Sequence, residues 1–277
     1  MIRLPMRALY TLTAVSLLLA AFVTAPWAAA APREWRLLGI DDVSTLEYTQ
    51  GLAGDAAGRL HGRGYTTIRP EVAIDGWTHI GDGDLFRGRM YDAYEQLGSG
   101  RKLYTITEPD GRLSRYYHRL TPGEMANNSF VTVSPSGRYL VSGEWDTMDR
   151  LLVFRNPVGR PDGSALPLAG TIALDTPMRD VQSCDFVDAT HLVCAVDRPA
   201  QAVYSVALDG PLDDAPAGHA RGTVRREFAV PHLSACTGSY EIEGIDYDAH
   251  RRVLSVSMID PSPCLLNTKV LRYRMSR

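Results

Sequence analysis

The sequence predicts an all-β fold, a five-bladed β-propeller whose ring is closed by its own N-terminal strand. Three observations carry this. A short motif, a polar residue followed by alternating apolar positions and a turn, recurs along the chain. Its copies are Gln50-Gly51-Leu52-Ala53, His79-Ile80-Gly81-Asp82, Asn128-Ser129-Phe130-Val131, Gln182-Ser183-Cys184-Asp185 and Glu243-Gly244-Ile245-Asp246. Self-similarity at tens of residues marks a repeat architecture, and strand-only repeats of this kind mark propellers. Secondly, apolar residues alternate with polar ones in short runs bounded by Gly, Pro and Asp, which is strand patterning, and helix signals are poor. Thirdly, the last copy ends one strand short, while the segment 34–40 offers a spare strand before the first copy. Pairing the two removes exposed sheet edges.

Taken in chain order, Arg3 and Arg7 precede an apolar stretch from Ala8 to Ala25, then Pro26 and the small residues Ala28–Ala31. This is the pattern of a secretory signal peptide. Residues 1–31 are therefore expected to be removed, leaving 32–277 as a single, secreted domain with no membrane association after cleavage. The third copy is the clearest. Ser129–Val133 forms a first strand, Ser134-Pro135-Ser136-Gly137 a turn, Arg138–Gly143 a second strand, Arg150–Arg155 a third and Gly170–Leu174 a fourth. The fourth copy runs through Cys184–Val187, His191–Val196, Ala202–Leu208 and Val224–Val230. The fifth runs through Ile245–Tyr247, Arg252–Ser257 and Val270–Tyr273. Polar loops at 156–169 and 209–223 separate the later strands. The first two copies are the least regular. Removing residues 1–31 from the 277 leaves about 246, a length that also permits six blades of about 41 residues. The motif count gives five.

Four cysteines lie in the last hundred residues. Cys184 and Cys194 stand symmetrically about a turn at Asp188-Ala189-Thr190 and are expected to face each other across a hairpin. Cys236 and Cys264 then staple the last blade. An even cysteine count in an exported chain agrees with disulfides, and no C-x-x-C pair suggests a cysteine metal site. The net charge of −3 offers no basic footprint for nucleic acid.

Val133-Ser134-Pro135-Ser136-Gly137-Arg138-Tyr139-Leu140 resembles the strand-turn-strand signature of WD-repeat-like and TolB-type propellers. Glu243-Gly244-Ile245-Asp246-Tyr247-Asp248 and Gln50-Gly51-Leu52-Ala53 resemble blade openings of the gluconolactonase and strictosidine-synthase-like propellers. Each resemblance spans one or two strands. The second implies a divalent metal at the channel mouth, with Glu243 and Asn128 as ligands.

In a propeller the loop before each innermost strand opens beside the central channel. Gln50, His79, Asn128, Gln182 and Glu243 are thus expected around one mouth, joined by Glu95, Glu144, Asp146, Asp197 and Asp260 from the loops between second and third strands. Trp145, Trp77 and Tyr94 are candidates to flank it, or to pack between blades. Such an oxygen-rich ring suits calcium or another divalent cation, with Glu243, Asn128 and Glu144 as metal candidates. Gly81-Asp82-Gly83-Asp84 is a fragment of a calcium loop without its later glutamate. Polar residues at blade openings also serve simply to satisfy loop backbone groups. No G-x-S-x-G, H-E-x-x-H or P-loop is present. The expected function is binding of a small polar molecule or an extracellular protein partner at an acidic channel face. The alternative is a metal-dependent hydrolase of lactones or phosphoesters, with His79 or Asp82 as base.

Overall fold

Runs such as His191-Leu192-Val193-Cys194-Ala195-Val196 are apolar at nearly every position, which suits strands buried on both faces. The computed structural model describes residues 34–264 and 266–276 and is all-β. The expected signal peptide and its cleavage site lie outside the described residues.

The strands form four successive antiparallel groups and one hairpin. The hairpin pairs β2 (Gly51–Gly54) with β3 (Leu60–Arg63). A four-residue helix, α1 (Pro70–Ala73), follows. The next group is β4 (His79–Phe86), β5 (Arg89–Glu95), β6 (Arg101–Thr107) and β7 (Leu113–Arg119). β8 (Val131–Val133), β9 (Tyr139–Ser142) and β10 (Thr147–Arg155) come next, and the short β11 (Ser164–Ala165) returns to pair with β7.

β12 (Leu168–Asp188) is one continuous strand of 21 residues. Its first part pairs with β10, and its second part with β13 (His191–Arg198). β14 (Ala202–Leu208) and β15 (Ala220–Ala229) follow, and β15 returns to β12 through Ile172–Leu174, so β12-β13-β14-β15 close into a four-strand ring of pairings. The last group is β16 (Glu241–Asp248), β17 (Val253–Ile259) and β18 (Asn267–Met275). Its fourth strand is β1 (Trp35–Ser44), antiparallel to β18 with Leu37 opposite Tyr273. The spare N-terminal strand therefore does complete the last sheet.

Apolar side chains pack between neighbouring groups. Leu192, Cys194 and Val196 of β13 face the cluster holding Phe130 and Val141, whereas Val193 and Ala195 join Ile242, Val256 and Leu271 on the other side. Tyr91, Tyr104 and Ile106 pack on Val131, Leu140 and Phe154. The remaining face of the β4–β7 sheet is covered by Val72 of α1 together with Trp77. A helix thus covers the sheet beside a copy that has only two strands.

The first strands of the five copies meet in cyclic order. β2 meets β4 where the Leu52 amide donates to Asp82 at 2.7 Å, and β4 meets β8 where the Val133 amide donates to Asp84 at 2.7 Å. Thr132 of β8 donates to Asp185 of β12 at 3.0 Å. The Tyr247 amide of β16 donates to Asp185 at 2.6 Å, and the Gly54 amide of β2 donates to Asp246 of β16 at 2.6 Å. Gly51 and Gly244 have no room for a side chain at this crowding. A Cβ on Gly244 would lie 2.7 Å from the Gly51 Cα, and one on Gly51 would lie 2.1 Å from the Asp82 carboxyl.

Both expected disulfides are present: Cys184–Cys194, directly opposite one another in the β12–β13 ladder, and Cys236–Cys264.

Candidate functional site: an acidic channel mouth

Asp82 lies where the first strands converge. One carboxylate oxygen accepts the amides of Leu52 (2.7 Å) and Gly83 (2.9 Å). The other accepts the Ile245 amide (3.1 Å) and the Ser183 hydroxyl. Its own amide donates to Ser129 carbonyl oxygen at 2.7 Å. A single buried carboxyl therefore ties β4 to β2, β12 and β16. Burial pushes its pKa well up, against the pull of these donors.

One step along the channel stand Asp84, Asp185 and Asp246. Each accepts an amide from another first strand, and Thr132 bridges Asp84 (3.2 Å) and Asp185 (3.0 Å). All three are pushed up to about 7, first by burial and then by one another's charge: Asp246 acts on Asp84, Asp84 on Asp185, and Asp185 on Asp246. Near neutral pH the three share protons and titrate as one group.

These three carboxyls line a cavity of about 950 Å³ where the first strands finish. Its walls include Tyr48, Leu60, Phe86 and Tyr247. Its rim carries the turn aspartates Asp55, Asp188 and Asp248. These stay ionised. The Arg59 backbone amide and guanidinium hold Asp55 low, while burial of Asp188 and Asp248 is outweighed by turn amides together with His191 and Arg251. Around the three coupled carboxyls Asp55 pairs with Arg59, Asp188 with His191 and Asp248 with Arg251, and Arg272 and Arg274 also line the cavity, so aspartates and cations share its wall.

The five leading motif residues are not gathered into this cavity. Asn128 is buried and satisfied internally, donating to the carbonyl oxygens of Tyr94 and Leu103 and accepting from Ser142. His79 is exposed and lies 3.8 Å from Glu95. It does not meet Asp82, whose oxygens are already taken up by the hub, so the His79–Asp82 base pair is not formed. Gln182 donates to Asp197 at 3.0 Å. Gln50 is half-buried. Glu243 is buried beside Glu241, Asp197 and Asp82, and burial followed by these charges drives its pKa well up.

Glu144 accepts the Met125 amide at 2.7 Å and pairs with Arg150 at 3.0 Å. Asp197 accepts the Ile242 amide at 3.0 Å, and Asp260 is buried. Trp145 is half-buried, whereas Trp77 and Tyr94 belong to the core against Val72. Among the described residues no three His, Cys, Asp or Glu side chains are gathered as metal ligands. Sequence reasoning passed over Asp185 and Asp246, although aspartate recurs at the fourth position of three motif copies.

No family model matches this chain, and no curated protein matches it. Among solved structures, a chain of "Crystal Structure of Mitotic Checkpoint Complex" is similar over 94% of this chain and 99% of that chain, at 9% identity and a TM-score of 0.42. A likeness at that level carries no argument about function.

Proposed function

We propose that the chain is a secreted five-bladed β-propeller, its first blade reduced to a hairpin, that binds a positively charged polar ligand or partner group in its acidic channel mouth. The cyclic contacts among the five first strands and the pairing of β1 with β18 support the architecture. One observation carries the function: three mutually coupled carboxyls line a single cavity of about 950 Å³. That volume falls within the range of small-molecule sites. A cation entering there offsets the repulsion among the carboxyls and draws off their shared protons.

The test is calorimetric titration with a small diamine such as putrescine at pH 6 and pH 8, against the neutral diol of equal length. Binding is expected for the diamine alone, tighter at pH 8, and weakened in Asp185→Asn/Asp246→Asn. Equal binding of the diol, or no saturable binding of the diamine at either pH, refutes the reading. The metal-dependent hydrolase reading needs free ligands at Glu243, Asn128 and Glu144, and two of these side chains are committed to protein partners.

A further inference from the structure

One face of the last sheet meets the segment 43–60, where Tyr48 and Leu52 pack on Val270. Further along β18 on that face, Arg272 and Arg274 are exposed. The strand register fixes what this face displays. Asp246, Ser255 and Arg272 form one rung across β16, β17 and β18, and Asp248, Val253 and Arg274 form the next. Residues directly opposite one another in an antiparallel ladder share a face. All six line the cavity of about 950 Å³ that holds the three coupled carboxyls.

Charge is therefore sorted along this wall. Its inner end is Asp246, coupled to Asp84 and Asp185. Its outer end carries Arg272, Arg274 and Asp41. Asp41 pairs with Arg272 at 2.9 Å, and that guanidinium lies over Gly39 of β1. Arg274 has no ion-pair partner among the described residues, so the outer end keeps one positive charge. Asp248, on the same rung as Arg274, is taken by Arg251 at 2.6 Å. Ser255 stands next to Asp246. It is 4% exposed, and its hydroxyl has no hydrogen-bond partner among the described residues. Buried hydroxyls are ordinarily partnered, so this one marks a place where a ligand's polar atom can be received. Val253, Leu60 and the Tyr48 ring supply apolar wall.

We propose that the cavity takes a bipolar ligand, an aminoalkanoate: its ammonium between Asp246 and the Ser255 hydroxyl, its carboxylate on Arg274, and its alkyl chain along Val253 and Leu60. Neighbouring strands lie about 4.8 Å apart, so the two strand spacings from β16 to β18 separate the ends by roughly 10 Å. An extended aminohexanoate, with a hydrogen bond at each end, bridges that span. The contacts at both ends are charge-assisted, and the guanidinium fork suits a carboxylate. This inference rests on the cation-binding reading of the same cavity and adds the second charge of its ligand.

The probe is 6-aminohexanoate, titrated into the full chain by calorimetry beside hexylamine, hexanoate and putrescine. It should bind about tenfold or more tightly than hexylamine, from one added charge-assisted contact, and hexanoate should not bind. Arg274→Gln, at an exposed position, should bring 6-aminohexanoate down to the affinity of hexylamine. Arg274→Lys should retain most of the gain. Ser255→Ala should weaken both amines. Equal affinity for 6-aminohexanoate and hexylamine, or unchanged affinity for 6-aminohexanoate in Arg274→Gln, overturns the bipolar ligand and leaves the cation site standing. Binding of putrescine without binding of 6-aminohexanoate does the same. If neither binds, both readings fall.

Discussion

Asp82 does at one residue what most proteins spread over many. Four hydrogen bonds to three strands besides its own end on its two oxygens. Asp82→Ala strands the Leu52, Gly83 and Ile245 amides without an acceptor in the core. Each such loss costs about 1–3 kcal/mol, and the variant should lose about 3–5 kcal/mol in urea denaturation or fail to fold. Asp84, Asp185 and Asp246 set a pH dependence of definite sign. Unfolded, they titrate near 3.9; folded, near 7. Between these values the folded chain retains protons that the unfolded chain has released. Their contribution to stability is therefore complete below about pH 4, falls as pH rises toward about 7, and is flat above. Melting temperatures across pH 4–8 should show that decline, and Asp246→Asn should flatten it. Of this site, the sequence made Asp82 and Asp84 visible through their motif. Asp185 and Asp246 stand at the same motif position as Asp82, but what marks them as part of the site is the neighbouring strand that supplies their donor, and that strand is distant in sequence.

At the scale of elements, strands were legible where burial on both faces writes an unbroken apolar run, as in β13. β12 was not. Thr176-Pro177 and Asp180 interrupt its apolar pattern, so the sequence reads as two strands, 170–174 and 184–187, where the backbone runs through from Leu168 to Asp188. The interruption falls where β12 passes from β10 to β13, and there Asp175, Thr176, Pro177 and Arg179 are exposed while Met178 stays in the core. The first copy was illegible for a different reason. Nothing local says that α1 and Trp77 cover the sheet face where further strands were expected. The two disulfides act on elements of different reach. Cys184–Cys194 closes a separation of 10 residues, and Cys236–Cys264 one of 28. Loop-closure entropy assigns them roughly 3 and roughly 3.5 kcal/mol. Cys236→Ser/Cys264→Ser should therefore lower the denaturation midpoint at least as much as Cys184→Ser/Cys194→Ala. A smaller effect at the longer loop contradicts the entropic account.

At the scale of the molecule, the pairing of β1 with β18 is what covers the β18 edge of the last sheet. The sequence revealed it through a missing strand at one end and a surplus strand at the other, a global balance that no local window contains. Removing residues 34–44 should expose the β18 edge and promote aggregation, read by sedimentation velocity.

The same pairing also sets the order of events in biogenesis. Asp41 and Arg272 are 231 residues apart, so the last sheet stays one strand short until β18 has been synthesised. Contacts of such sequence separation form slowly. β1 precedes and β18 follows every other described strand, so the last sheet is completed only when these two are brought together across the fold.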